Sequence, residues 1–148
     1  MTIYEEINTT LVTTQLLIND SDEHFFEKFN LGTTRYYTLV HLEQSPGLTL
    51  SELSQRLLCT KGNLTRILRS MEQAGLLERH IDAQDGRVVH LSLTAQGMDL
   101  LTSAQKAYQG FLQQRYSGLE LYEIDSLQRI CSRLNRQLES NLRSTDGM

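Results

Sequence analysis

The hydrophobic period of the chain changes at Gly75, and this change constrains the fold more than any other feature. Before it, apolar residues recur at the i, i+3, i+4 and i+7 spacing of one helical face: Leu64, Ile67, Leu68 and Met71. After it, apolar residues alternate as in a strand: Val89, Leu91 and Leu93. Thr60 suits the N-cap of the helix, and Gly75 suits the position just beyond its end. The sequence therefore predicts a helix over 60–75, followed directly by a β-hairpin over 76–93.

The opposite face of the predicted helix is polar and has no acidic side chain. It consists of Lys61, Gly62, Asn63, Thr65, Arg66, Arg69 and Ser70. Such a face suits the major groove of DNA, where Arg reads guanine, Asn reads adenine and a Thr methyl contacts thymine. An ordinary solvated face is the alternative, and for an isolated basic helix it would be the better interpretation.

Other helices surround this segment. Thr49 and Glu52 have the spacing of a capping box, which predicts a short helix over 49–58. Apolar periodicity predicts four longer helices, over about 3–18, 33–44, 95–116 and 120–143. Two helices joined by a short turn and followed by a hairpin with a cationic tip make a winged helix-turn-helix. The predicted fold is mainly α with a small β-hairpin wing, plus a helical dimerisation region.

Two further sequence patterns concern the first and the last of these helices. The run Asn19-Asp20-Ser21-Asp22 is expected to end the first helix. In the last helix, apolar residues step by three and four, which is typical of a seam that packs against a partner: Ile124, Leu127, Cys131, Leu134 and Leu138.

Net charge alone argues against DNA as a partner. The chain carries a formal charge of −4 and a pI of about 5.5, whereas phosphate binding depends on clustered Lys and Arg. The acidity is local, however, because residues 1–30 hold six acidic side chains against Lys28 alone. Residues 56–80 hold five Lys and Arg against two Glu. A basic segment therefore lies in the middle of an acidic chain.

Several classes of protein are disfavoured. No stretch has the roughly 18 to 20 apolar residues of a membrane span, and the N-terminus lacks the pattern of a signal peptide, so no membrane partner and a cytoplasmic location are expected. The two cysteines lack metal-site spacing, the four histidines form no ligand motif, and no nucleophile or phosphate-loop motif is present. We expect no enzyme activity, no metal and no cofactor.

The sequence resembles the MarR family of bacterial winged helix-turn-helix transcription regulators. The resemblance is contiguous over residues 48–97. It rests on Leu48-Thr49-Leu50-Ser51-Glu52-Leu53, on Leu64 to Arg79, on the wing Asp82-Ala83-Gln84-Asp85-Gly86-Arg87, and on Leu93-Thr94-Ala95-Gln96-Gly97. The family's wing typically reads Asp-Pro-x-Asp-Arg-Arg, so Ala83 replaces the proline and Gly86 replaces one arginine. One wing cation fewer predicts a weaker wing contribution to binding.

The resemblance implies a homodimer whose first and last helices pair and whose two recognition helices bind double-stranded DNA at a pseudo-palindromic operator. It implies residues 1–30 and 117–148 as the helical dimerisation region and residues 31–116 as the DNA-binding lobe, within one continuous domain. It also implies a possible small aromatic effector in a cleft between the two regions. Such a protein is most simply a repressor that a ligand releases, because blocking a promoter requires only tight, site-specific binding.

The predicted helix lies between a short capped helix and a wing, and the sequence resembles the MarR family. Together, these two observations assign roles to the polar side chains. Candidates for contacts to base edges are Asn63, Thr65 and Arg66. Candidates for contacts to phosphates are Thr60, Lys61, Arg69 and Ser70. Arg87 is assigned to the minor groove. Asp85 either orients Arg87 or simply forms the turn.

Two further groups of residues have alternative interpretations. Tyr36, Tyr37 and His41 could line a ligand cleft, although core and interface packing explains each of them singly. Cys59 is either a redox-sensitive thiol near a helix N-terminus or a small residue packed in the turn, and packing is favoured.

Three rival functions remain. A protein-binding module that keeps the fold without specific DNA binding is the main alternative, and Arg66 and Arg87 argue against it. A non-specific architectural DNA binder is disfavoured by the charge of −4. An enzyme is the weakest alternative, because the sequence offers no candidate catalytic residues.

Overall fold

The computed structural model describes residues 1–147, in which helices predominate. The helices are α1 (Ile3–Glu27), α2 (Thr33–Gln44), α3 (Leu50–Leu57), α4 (Lys61–Gln73), α5 (Ala95–Arg115) and α6 (Leu121–Asp146). The strands are β1 (Leu48–Thr49), β2 (Leu77–Ile81) and β3 (Val89–Leu93). They form one antiparallel sheet in the order β1-β3-β2. The predicted fold class, mainly α with a β-hairpin wing, is confirmed. Met148, the last residue of the predicted dimerisation region, lies outside the described residues.

The prediction that α1 ends at residues 19–22 is wrong, because the helix continues to Glu27. Asn, Asp and Ser lower helix propensity only modestly, and tertiary packing overrides that preference. Phe26, which lies beyond the polar run, is fully buried. The helix stops where Asn30 takes a φ of 54° and the amide of Leu31 donates to the Phe26 carbonyl at 3.1 Å. This is the bonding pattern of a Schellman motif.

The helix-turn-helix pair follows its local capping signals. Thr49 and Glu52 form the expected capping box at the start of α3. The Thr60 hydroxyl accepts the amide of Asn63 at 3.3 Å and caps α4. At the other end of α4, Gly75 has a φ of 75°, and the amide of Leu76 donates to the Met71 carbonyl at 3.0 Å. The first turn of α3 and both ends of α4 therefore match the sequence signals.

The hairpin over β2 and β3 forms in the expected place. Its register pairs Leu77 with Leu93 and Ile81 with Val89. The sheet has a third strand that the hydrophobic pattern did not predict, because β1 contains only two residues. In this strand Leu48 pairs with Leu91. The base of the wing is thus joined to the segment that precedes α3.

The junction between β3 and α5 is locked onto the end of α4. The Thr94 hydroxyl donates to the Gly75 carbonyl at 2.5 Å and accepts the amide of Gly97 at 3.0 Å. A Cβ atom added at Gly97 would overlap the carbonyl oxygen of Leu76. Only glycine fits at this close approach of two backbones.

The described residues divide into two compact units, Met1–Ala107 and the segment from Tyr108 onward. The boundary falls inside α5, whereas the sequence-based regions were bounded at 30/31 and 116/117. The largest fully buried side chains of the first unit include Phe26, Leu39, Leu42, Leu53, Leu64, Leu68, Met71, Leu77, Leu91 and Leu101.

Within residues 1–147, no helix is both long enough and apolar enough to cross a membrane.

Candidate nucleic-acid interface

Helix α4 has a fully buried face and an exposed polar face. Leu64, Leu68 and Met71 are at most 1% exposed. Burying each such side chain stabilises the fold by about 1.5 to 3 kcal/mol, so the rotation of α4 about its axis is well determined. The opposite face is exposed at Lys61, Gly62, Asn63, Arg66 and Arg69, and half-buried at Thr65 and Ser70. The predicted division of the helix into two faces agrees with this burial pattern.

Two of the residues assigned to base edges are bonded to each other. Arg66 Nη2 donates to Asn63 Oδ1 at 2.8 Å. The third, Thr65, donates its hydroxyl to the Lys61 carbonyl at 2.7 Å. That bond occupies the hydroxyl hydrogen of Thr65 and leaves its methyl group as the part suited to a thymine methyl. The three side chains lie within one turn of the exposed face.

The residues assigned to phosphates differ in their surroundings. Lys61 and Arg69 are exposed, whereas the Thr60 hydroxyl is the N-cap of α4. Ser70 Oγ accepts a hydrogen bond from Arg35 Nη2 at 2.6 Å in a partly buried position. Arg35 lies on α2, 35 residues away in sequence, and no local pattern pointed to it. Ser70 is therefore tied to the protein rather than presented freely.

Arg79, a further cation of the basic segment 56–80, forms an ion pair within the fold. Arg79 Nε lies 2.7 Å from Glu72 Oε2, so this pair joins β2 to α4. About a third of each side chain is exposed, and a pair of that kind contributes little to stability. Arg79 is consequently less suited to a phosphate than the exposed Arg69.

The tip of the wing presents one exposed arginine. The Arg87 side chain is 93% exposed, and its Nε lies 3.2 Å from Asp85 Oδ1. The same carboxylate oxygen accepts the backbone amide of Arg87 at 3.0 Å. Asp85 therefore forms the turn and also contacts the guanidinium, so both of its expected roles are compatible with this geometry.

The base of the wing contains a histidine bonded on both sides. His90 Nδ1 lies 2.8 Å from the Gly47 carbonyl oxygen, and its Nε2 lies 2.9 Å from Asp82 Oδ2. The hydrogen bond with Asp82 is the main cause that raises the pKa of His90, and the Gly47 carbonyl adds to it. The same bond, with the amides of Gln84 and Asp85, lowers the pKa of Asp82 to about 2.

Tyr37 and His41 line a cleft of about 250 Å³ between α2 and α3. Its other lining residues are Thr33, Thr34, Arg56 and Leu57. His41 Nδ1 and Thr33 Oγ1 are buried without a hydrogen-bond partner. Burial lowers the pKa of His41, and the charge of Arg56 lowers it further.

Tyr36, the third residue expected to line a ligand cleft, is not part of this one. It is 5% exposed, and its ring stacks on Phe26 with the centroids 4.3 Å apart. Burial raises the pKa of Tyr36 to about 12, so the phenol is neutral.

The next residues to place are the cysteines and the groups that could bind a metal ion. Among residues 1–147, no group of three or more His, Cys, Asp or Glu side chains is arranged to hold a metal ion. Cys59 and Cys131 are both free thiols of intermediate burial. The exposed cations and amides of α4 and the wing are instead suited to bind phosphates and base edges.

Both terminal helices carry large exposed apolar side chains. On α1 they are Ile3, Tyr4, Ile7, Leu11, Val12, Leu16 and Leu17. On α6 they are Leu121, Tyr122, Leu127, Ile130, Leu134, Leu138 and Leu142. Helices with many large exposed apolar side chains are typical of protein interfaces.

Comparisons with known proteins agree on one family. The MarR family model matches residues 31–89. The HTH-type transcriptional regulator PapX of Escherichia coli is 30% identical over 119 residues, which cover 79% of this chain and 73% of PapX. The transcriptional repressor MprA of Escherichia coli strain K12 is 32% identical over 111 residues, covering 74% of this chain and 63% of MprA.

A solved structure is similar to this chain over most of its length. The crystal structure of Streptococcus pneumoniae FabT in complex with DNA matches with a TM-score of 0.77 and 25% sequence identity. The match covers 93% of this chain and 98% of the FabT chain.

Proposed function

The chain belongs to the MarR family of transcription regulators, and from this premise we propose that it binds a pseudo-palindromic operator as a homodimer and represses transcription. It is a DNA-binding regulator and not an enzyme. The observation that carries the proposal is the exposed, acid-free face of α4 together with the exposed Arg87 at the wing tip. FabT, which matches over 93% of this chain, was solved on DNA. MprA is named a repressor.

Direct readout of sequence is assigned to the first two turns of α4. Arg66 and Asn63 supply donors and an acceptor, and Thr65 supplies a methyl group, the groups that distinguish base pairs in the major groove. Lys61 and Arg69 flank them as phosphate contacts, and Arg87 extends the contact to the minor groove. We also assign the hydroxyl groups of Thr60 and Ser70 to phosphates. Each of these hydroxyls is hydrogen-bonded within the fold as well.

A homodimer follows from the exposed apolar side chains of α1 and α6. Leu16 and Leu17 on α1 are 64% and 65% exposed, and Ile130 on α6 is 60% exposed. A second copy would bury these surfaces and provide two recognition helices. Half-sites about one helical turn, roughly 34 to 36 Å, apart then match the two-fold symmetry of the protein. We place this regulator in the cytoplasm, where its operator lies.

Release by a small aromatic ligand is assigned to the cleft between α2 and α3. Tyr37 offers a ring face, Arg56 a positive charge, and His41 Nδ1 lacks a partner. These groups suit an aromatic carboxylate. Arg56 lies in the last turn of α3, and α4 begins at Lys61. A ligand that displaced the end of α3 would therefore also shift the recognition helix.

The main experiment is selection of genomic DNA fragments with the purified chain. Wild type is expected to enrich a two-fold symmetric motif. A matched variant with Arg66→Ala and Arg87→Ala should lose the enrichment while keeping its helical circular dichroism, because both side chains are exposed. If wild type enriched no motif, the fold would serve as a protein-binding module instead.

Ligand release is tested with benzoate as the probe. Benzoate should weaken binding of wild type to the recovered duplex, and Arg56→Gln should remove that effect. The same response in wild type and Arg56→Gln would refute the assignment of the ligand to this cleft.

A further inference from the structure

One histidine side chain connects the loop of the wing to the turn that precedes β1. His90 lies on β3, and its two ring nitrogens contact Gly47, in the turn before β1, and Asp82, at the start of the wing loop. Both contacts are to oxygen acceptors, a backbone carbonyl and a carboxylate. Neither acceptor carries a hydrogen, so each ring nitrogen has to supply one. The arrangement is therefore complete only with the doubly protonated, positively charged imidazolium.

The bonds continue from Asp82 to the tip of the wing. Asp82 Oδ1 accepts the amides of Gln84 at 2.8 Å and Asp85 at 3.0 Å. Asp85 Oδ1 in turn accepts the amide and the Nε of Arg87. An unbroken series of hydrogen bonds thus leads from the Gly47 carbonyl to the guanidinium that we assign to the minor groove.

We propose that His90 is a positioning residue for the wing, and that its protonation makes DNA binding by this regulator depend on pH. The inference rests on the proposed function, because Arg87 has to contact DNA for the wing to matter. When His90 loses a proton, one ring nitrogen presents a lone pair to an oxygen acceptor, and one of the two contacts is lost. Asp82 is then held less firmly, and the loop that carries Arg87 is less ordered.

The direction of the pH dependence follows from the raised pKa of His90. The ordinary value is 6.5, and the hydrogen bonds to Asp82 and Gly47 shift it upward. The stabilising effect is therefore fully present below about pH 6.5 and is lost as the pH rises through the raised pKa. Asp82 stays ionised throughout this range, because its pKa is about 2.

Other titratable groups near His90 belong to β2 and α3. Glu52, in the first turn of α3, also raises the pKa of His90 by its charge. His80 is the direct cross-strand partner of His90 on β2, so the two side chains lie on the same face of the hairpin. His80 instead contacts Glu78 and Ser92. His80 is outside the series of bonds that reaches Arg87 and provides a matched control.

The first test needs no DNA. Nuclear magnetic resonance spectra of the full chain are recorded from about pH 5.5 to about pH 9, a range that spans histidine titration. His90 should titrate above 6.5, and the amides of Asp85 and Arg87 should shift with the same midpoint. Asp82→Asn, which keeps an oxygen acceptor for the loop amides, should lower that midpoint. A His90 midpoint at or below 6.5, or an Arg87 amide that ignores it, would overturn the proposal.

The second test uses the duplex recovered by genomic selection. Between about pH 6 and about pH 8.5 wild type should lose about fivefold more affinity than His90→Gln, the effect expected of one hydrogen bond. His80→Gln should follow wild type, and His90→Gln should have no further effect in an Arg87→Ala background. An identical profile for wild type and His90→Gln would overturn the link to DNA. If no duplex were recovered, the proposed function would fail, and the spectra would still decide whether His90 holds the wing.

Discussion

Arg66 Nη2 donates a hydrogen bond to Asn63 Oδ1 at 2.8 Å, one turn earlier on the exposed face of α4. The bond uses one of the five guanidinium donors and one lone pair of the amide oxygen. The remaining donors of both side chains stay available for a base edge. Two residues that the sequence assigns separately to base contacts are therefore one hydrogen-bonded unit, and their substitutions should not be independent.

Replacing Arg66 by alanine should relax the base preference at one position of each half-site by about 1 to 3 kcal/mol. Asn63→Ala should affect a neighbouring position, and the double variant should lose less than the sum of the two, because the partners act together. Fluorescence anisotropy with single-base variants of the operator measures both effects. An equal loss of affinity on every duplex would show that Arg66 contacts a phosphate instead.

Arg87 at the wing tip should contribute to the dependence of DNA affinity on salt concentration. Arg87→Ala should weaken binding to all duplexes and reduce the magnitude of the slope of log affinity against log salt by about 1, because the protein loses one cation that displaces counterions from the DNA. Lys106→Ala removes an exposed charge from α5, outside the assigned contact surfaces, and should leave the slope as in wild type. Titrations at four salt concentrations provide the slopes. Equal slopes for Arg87→Ala and wild type would remove Arg87 from the interface.

Two glycines of α5 provide a matched pair for stability. Gly97→Ala should lower the free energy of unfolding by about 1 to 3 kcal/mol, because the added Cβ overlaps the Leu76 carbonyl. A Cβ at Gly110 meets nothing within 4 Å, so Gly110→Ala should raise the free energy of unfolding by about 0.5 to 1 kcal/mol through helix propensity. Urea denaturation measures both. Equal stability of the two variants would contradict the close packing at Gly97.

The exposed apolar side chains of α6 are expected to form part of the dimer interface. Leu134 is 38% exposed, and Leu134→Glu would place a charge in the proposed interface, where it lacks a partner. The variant should sediment as a monomer at concentrations where wild type is a dimer. Ser140→Glu adds the same charge at an exposed position on the opposite side of α6 and should remain dimeric. A wild-type chain that sediments as a monomer at high concentration would contradict the proposed assembly.

Local signals predicted the centre of the molecule well. The caps at Thr49, Thr60 and Gly75 depend on residues within one turn of each helix end, so the start of α3 and both bounds of α4 could be inferred from the sequence. The alternation that begins at Val89 likewise predicted β3. The exposed face of α4 followed from the spacing of its buried leucines.

Features that depend on distant residues could not be predicted in this way. Helix α1 passes through residues 19–22 because Phe26 is buried beyond them. Ser70 is bonded to Arg35, 35 residues earlier, and His90 to Gly47, 43 residues earlier. No periodicity links such pairs, since the folded chain alone brings them together. The contact of His90 with Gly47 could not be predicted for this reason.

Sequence-specific binding of DNA by this chain is tested most directly by one comparison of affinities. Fluorescence anisotropy compares the affinity of the purified chain for the selected operator with that for a scrambled duplex of the same composition, at one physiological salt concentration. We predict a preference of at least about a thousandfold, as is typical of specific regulators. Equal affinity for the two duplexes would contradict it.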